Sequence, residues 1–82
     1  MKILYFASLR EELNCSQEDI EITSEIKTVD DLKKCIVARG KNWEVLGNSP
    51  NLRIAVNQEL AGPDKTLVNS DEIAFFPPVT GG

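Results

Sequence analysis

The chain has 82 residues, 41% of them apolar and 27% charged, which is the balance of a folded domain and not of a disordered or fibrous chain. That length suffices for one domain with a small core. The 13 acidic residues outnumber the 9 basic ones for a formal charge of -4, and no basic run exceeds Lys33-Lys34, so nucleic acid is an electrostatically poor partner.

Residues 2–7, KILYFA, are aromatic and aliphatic and read as a strand. A short helical turn over Ser8 to Leu13 follows, then a polar loop from Asn14 to Gln17. Asp19-Ile20-Glu21-Ile22 alternates polar and apolar as a half-buried strand does, so the first two strands are expected to pair. Thr28 is a good N-cap with Asp31 at the third helical position and Asp30 near the positive helix end. Val29, Leu32 and Ile36 then recur at helical spacing, and Gly40 is a natural stop. Asn42 to Gly47 suggests another helical turn, and Asn48 to Asn51 a loop. Leu52 to Val56 is strand-like, Asn57-Gln58 makes a tight turn, Glu59 to Ala61 returns briefly, and Glu72 to Phe76 is the last strand.

The order β, β, α, β, short β, β around one long helix predicts an α+β roll of the β-grasp type, a mixed sheet wrapped on a main helix. The expected organisation is a domain over 1–76 and an extended C-terminal Gly-Gly tail over 77–82.

With no histidine in the chain, Ser-His and Cys-His nucleophiles and most zinc sites are unavailable, so no catalytic residue and no metal site is expected. Cys15 and Cys35 have no C-x-x-C spacing and are expected as free thiols, Cys15 in a loop and Cys35 as a small core residue on the helix. No apolar run approaches the roughly 20 residues that span a bilayer, and no leader pattern opens the chain, so a cytoplasmic protein without membrane association is expected.

One helix covers only one face of a sheet. Alternation puts Ile3 and Tyr5 on one side and Leu4 and Phe6 on the other, and likewise opposes Ile73 and Phe75 to Ala74 and Phe76. If the first set faces the helix, Leu4, Phe6 and Phe76 lie on an uncovered apolar face, the kind of surface that marks a partner site. A loop or Trp43 folded over it is the alternative.

Pro77-Pro78 has no N–H to donate and favours an extended conformation, so it ends the sheet and projects the chain. The residues from Pro77 to Gly82 reach about 20 Å at full extension. Gly81 and Gly82 lack a Cβ and pass where other residues cannot, which delivers the Gly82 carboxylate at the tip. A carboxylate ionised above about pH 3.3–3.7 is a poor electrophile, so reaction there requires activation, as an acyl-adenylate. The chain has no phosphate-binding loop of its own, so that step falls to another enzyme.

Ala55-Val56-Asn57-Gln58 and the closing Ala74-Phe75-Phe76-Pro77-Pro78-Val79-Thr80-Gly81-Gly82, with the β-grasp order, resemble the small subunits of molybdopterin synthase, within the ubiquitin-like proteins. The resemblance covers the whole chain. It implies a sulfur carrier of molybdenum cofactor biosynthesis, a non-catalytic subunit of a sulfurtransferase. Gly82 would be adenylated by an ATP-dependent, E1-like enzyme and converted to a thiocarboxylate by a sulfur-donor system. Pro77, Pro78, Val79, Thr80 and Gly81 would then enter the large subunit, which holds the catalytic residues. It further implies a hetero-tetramer, no stably bound cofactor beyond the transient adenylate and sulfur on Gly82, and a partner interface at Phe6, Arg10, Leu60 and Phe76.

Three other readings compete. A carrier of the same shape feeding thiazole synthesis or tRNA thiolation would keep the Gly-Gly chemistry, although Phe-Phe-Pro-Pro-Val-Thr argues against it. A protein modifier would join Gly82 to lysines of its targets. A passive interaction domain without tail chemistry holds only if removing Gly82 has no effect, and an iron–sulfur carrier of this fold class fails on the sequence, since it needs four cluster-ligating cysteines and two are present.

Overall fold

The computed structural model describes residues 1–48 and 52–77. Its elements run β1 (Lys2–Tyr5), α1 (Ser8–Leu13), β2 (Gln17–Asp19), α2 (Val29–Val37), a 3₁₀ turn (Lys41–Trp43), α3 (Val45–Asn48), β3 (Arg53–Val56), β4 (Glu59–Leu60) and β5 (Glu72–Phe76). The five strands form one sheet in the order β2-β1-β5-β3-β4. The central pair β1 and β5 is parallel, and the other pairs are antiparallel. This is the mixed sheet over a main helix that the element order predicts.

The start of α2 follows from its capping box. Thr28 Oγ1 accepts the Asp31 N–H at 3.2 Å, and Asp31 Oδ2 accepts the Thr28 and Lys27 N–H groups at 3.1 and 3.0 Å. Those bonds, Lys27's first, hold the Asp31 carboxyl below its usual range. The helix then buries Val29, Leu32 and Ile36 with Ile3, Tyr5, Ile73, Phe75 and Val56 of the sheet, and Met1, Leu9, Leu13, Ile26, Leu46 and Leu67 complete the core. The helix ends at Val37, before the expected stop: Gly40, at φ 142°, precedes the 3₁₀ turn.

Three expectations are corrected, and one alternative is set aside. The second strand is Gln17–Asp19, not the alternating stretch 19–22; the Met1 ammonium donates to the Ile20 carbonyl at 2.7 Å, and Ile20 and Ile22 pack on the core from irregular chain. Pairing of β2 with β1 carries the register Lys2 with Asp19, so the strand stops where β1 begins. Cys35 is exposed: at about 100° of helix rotation per residue it stands well round α2 from Ile36, outside the buried stripe of Val29, Leu32 and Ile36. Trp43 does not cover the second face of the sheet: its ring meets Tyr5 edge-on at 5.8 Å on the helix side. The loop expected at 48–51 has Asn48 as the last residue of α3, and 49–51 lie outside the described residues.

Candidate docking face and C-terminal tail

The side of the sheet away from α2 is built by strand alternation and made continuous by register. Cross-strand pairing draws one row across the molecule: Gln17, Leu4, Ala74, Ala55 and Leu60. In the next row Phe76 stands opposite Arg53. Phe6 extends β1 beside it, its N–H donating to the Phe75 carbonyl at 3.1 Å. On the other flank the row Asp19, Lys2 and Glu72 is charged. An apolar band is thus bordered by polar residues, and none of Leu4, Phe6, Leu60 and Phe76 belongs to the buried core. Phe6 is 46% and Leu60 66% exposed, apolar surface that costs free energy until a partner covers it.

Three of the four expected interface residues, Phe6, Leu60 and Phe76, therefore share this face. Arg10 is exposed on α1, and its guanidinium makes no hydrogen bond or ion pair among the described residues. α1 follows Phe6 directly: in its first turn the Leu9 and Arg10 N–H groups donate to the Phe6 and Ala7 carbonyls at 3.2 and 3.1 Å. Sequence reasoning missed Arg53 as a member of the face. Its position one residue before the alternating Ile54-Ala55-Val56 was the available signal, but only the pairing with Phe76 places it there.

Two polar clusters hold the sheet that carries the band. Glu18 accepts the Tyr5 hydroxyl at 2.7 Å and both Arg39 nitrogens at 2.8 and 2.9 Å, while Arg39 lies over the Trp43 ring at 4.8 Å. Burial works to raise the Glu18 pKa, but the hydrogen bonds from Arg39 and Tyr5 outweigh it and keep the carboxyl below its usual range. Burial, then the bond to Glu18, pushes the Tyr5 phenol far above the ordinary tyrosine value. At the other end of the sheet, Asp71 accepts the Val68 N–H at 2.8 Å and the Asn57 amide at 2.9 Å, and these bonds hold its carboxyl below the usual range.

Pro77 follows β5 directly, at the Phe76 end of the band. The tail residues Pro78, Val79, Thr80, Gly81 and Gly82 lie outside the described residues. Among the described residues no group of three His, Cys, Asp or Glu side chains converges as a metal site requires, and no helix is long and apolar enough to cross a membrane.

The ThiS family matches residues 3–82. The chain is 38% identical over 82 residues to the molybdopterin synthase sulfur carrier subunit of Escherichia coli, covering 100% of this chain and 99% of that one. It is 33% identical, with the same coverage, to the protein of that name in Haemophilus influenzae. Among solved structures, SAMP1 from Haloferax volcanii superposes with a TM-score of 0.80 at 23% identity, over 100% of this chain and 98% of that chain, a likeness that establishes the ubiquitin-like β-grasp fold.

Proposed function

The chain belongs to the ThiS family, and from that membership we propose that it is the sulfur carrier subunit of molybdopterin synthase. The observation that carries this reading is the likeness to two relatives of that name over the whole length of this chain. The uncovered apolar band supports it, since a small subunit has a large-subunit partner to dock on, and the band borders the point where the tail leaves β5.

The chemistry proposed for Gly82 follows from what a carboxylate lacks. A Gly82 oxygen attacks the α-phosphorus of ATP on an E1-like enzyme and expels pyrophosphate, giving an acyl-adenylate. Hydrosulfide delivered by a donor system then attacks the acyl carbon, expels AMP and leaves a thiocarboxylate. Residues 77–81 carry that sulfur into the large subunit, where it attacks an electrophilic carbon of the pterin precursor, and hydrolysis of the acyl link returns the carboxylate. This chain contributes the reacting terminus, the reach and the docking face; acid and base catalysis belongs to the large subunit. The same reading gives a cytoplasmic hetero-tetramer with two copies of each subunit.

The test is intact mass spectrometry with fragmentation after incubation with the activating enzyme, Mg-ATP and a sulfur donor. Exchange of one oxygen for sulfur, localised to Gly82 and lost when Gly82 is deleted, is the expected result. Sulfur for oxygen is nearly isobaric with one oxygen added to Met1, Cys15 or Cys35, so the location decides. An unchanged Gly82 beside an active enzyme overturns the reading, and covalent ladders on a denaturing gel would favour the modifier instead.

A further inference from the structure

Leu60 sits on the shortest strand of the sheet. β4 has two residues at the sheet edge, held by the pairs Ala55–Leu60 and Val56–Glu59 and by the Ala61 N–H, which donates to the Ile54 carbonyl at 3.0 Å. So short an edge does not set its own orientation; the turn before it does. Asn57 and Gln58 form that turn with φ 52° and 70°, the left-handed pair a two-residue hairpin requires.

Asn57 is also tied to β5 on the other side of β3. Its N–H donates to the Glu72 carbonyl at 2.8 Å, as a strand residue's would. Turned to positive φ, its main chain leaves the ladder, and the side chain takes over: Oδ1 accepts the Glu72 N–H at 3.0 Å, and Nδ2 donates to Asp71 Oδ1 at 2.9 Å. Asp71 is itself fixed, with Oδ2 on the Val68 N–H and its carbonyl accepting the Lys2 N–H at 3.1 Å. One amide therefore joins the β3–β4 turn to a buried carboxylate anchored to the central strands.

We propose that Asn57 is a positioning residue of the docking face: its amide locks the β3–β4 hairpin to β5 and through it holds Leu60 in line with Ala55, Ala74 and Leu4. This rests on the docking reading above. Serine or alanine at 57 would strain the left-handed backbone as well as lose the bonds; glycine keeps the turn and removes only the lock.

The test is a double-mutant cycle on the full chain with Asn57→Gly and Leu60→Ala, reading affinity for the large subunit of molybdopterin synthase by titration calorimetry and stability by thermal unfolding. If Asn57 acts through Leu60, Asn57→Gly weakens binding roughly fivefold, in the range of coupling between packed neighbours, and the double variant binds no more weakly than Leu60→Ala alone. Faster hydrogen exchange at the Glu72 amide confirms that the lock has opened. Gln58→Gly, which alters the same turn without touching Asp71 or Glu72, keeps wild-type affinity. Unchanged affinity of Asn57→Gly, or losses that multiply in the double variant, overturns the inference while leaving the docking reading intact. Failure of the unaltered chain to bind overturns both.

Discussion

The Tyr5 hydroxyl donates to Glu18 Oε2 across the β1–β2 pair at 2.7 Å, the same oxygen that accepts from Arg39 at 2.8 Å. A three-residue edge strand is thereby fastened to the chain just beyond α2. Tyr5→Phe should lower stability by about 1 kcal/mol, the net worth of one such hydrogen bond. Arg39→Ala removes two bonds and the contact with Trp43 and should cost about 2 kcal/mol. The side chains are 33% and 21% exposed, so solvent screening keeps the cost below that of breaking a fully buried pair. Urea unfolding of the two variants checks the order.

Ala7 joins β1 to α1 at φ 54°, ψ -131°, a conformation that costs a residue with a Cβ about 1–3 kcal/mol. Ala7→Gly relieves that strain and adds roughly 0.5–1 kcal/mol of chain entropy to the unfolded state. A net gain of about 1 kcal/mol is expected, visible as a higher thermal midpoint. Equal or lower stability would mean that the junction carries no strain.

Phe6 and Leu60 are exposed and lie outside the core, so Phe6→Ala and Leu60→Ala should each change stability by only about 0.5 kcal/mol. Both should weaken binding to the large subunit by about tenfold or more, as central apolar residues of an interface do. Calorimetry of binding beside thermal unfolding separates the two effects.

Glu18 and Asp71 both have carboxyls held below their usual range in the folded chain. A group depressed in the native state adds stability above its unfolded pKa and loses it as pH falls toward the folded value. The chain has no histidine to titrate between pH 5 and 8. The thermal midpoint should therefore be level from pH 6 to 8 and fall below about pH 4, where unfolded carboxyls begin to bind protons. Glu18→Gln combined with Asp71→Asn should lower stability at neutral pH and flatten the acid limb, measured by circular dichroism across a pH series.

Cys35 is exposed and Cys15 half-buried, with its thiol 3.5 Å from the Gln17 carbonyl. Iodoacetamide should modify Cys35 faster, and Cys35→Ser should leave stability within about 0.5 kcal/mol of the original. Peptide mapping over a labelling time course orders the two thiols.

Much of the fold was legible because its signals are local. Thr28 and Asp31 announce a helix through bonds between near neighbours, and the dipeptide Asn57-Gln58 announces a hairpin through its tolerance of positive φ. The two-sided apolar character of strands one and five reveals a surplus face from period two alone. Where the reading failed, a local pattern met a non-local constraint. Ile20 and Ile22 alternate like a strand, but the ladder with β1 ends at the pair Lys2–Asp19, and the Ile22 N–H goes instead to the Asn69 side chain at 2.7 Å. Cys35 neighbours a buried residue in sequence, yet its burial depended on the helix rotation that packing against the sheet selects.

The amino-acid sequence by itself determined the order of elements, the absence of histidine chemistry and the Gly-Gly terminus, because each is a property of single residues or close neighbours. Only the tertiary structure decided that Leu60 stands in one row with Leu4, that Arg53 faces Phe76, and that Asn57 reaches Asp71. Those relations join residues far apart in the chain, and strand register, which no local pattern specifies, is what brings them together.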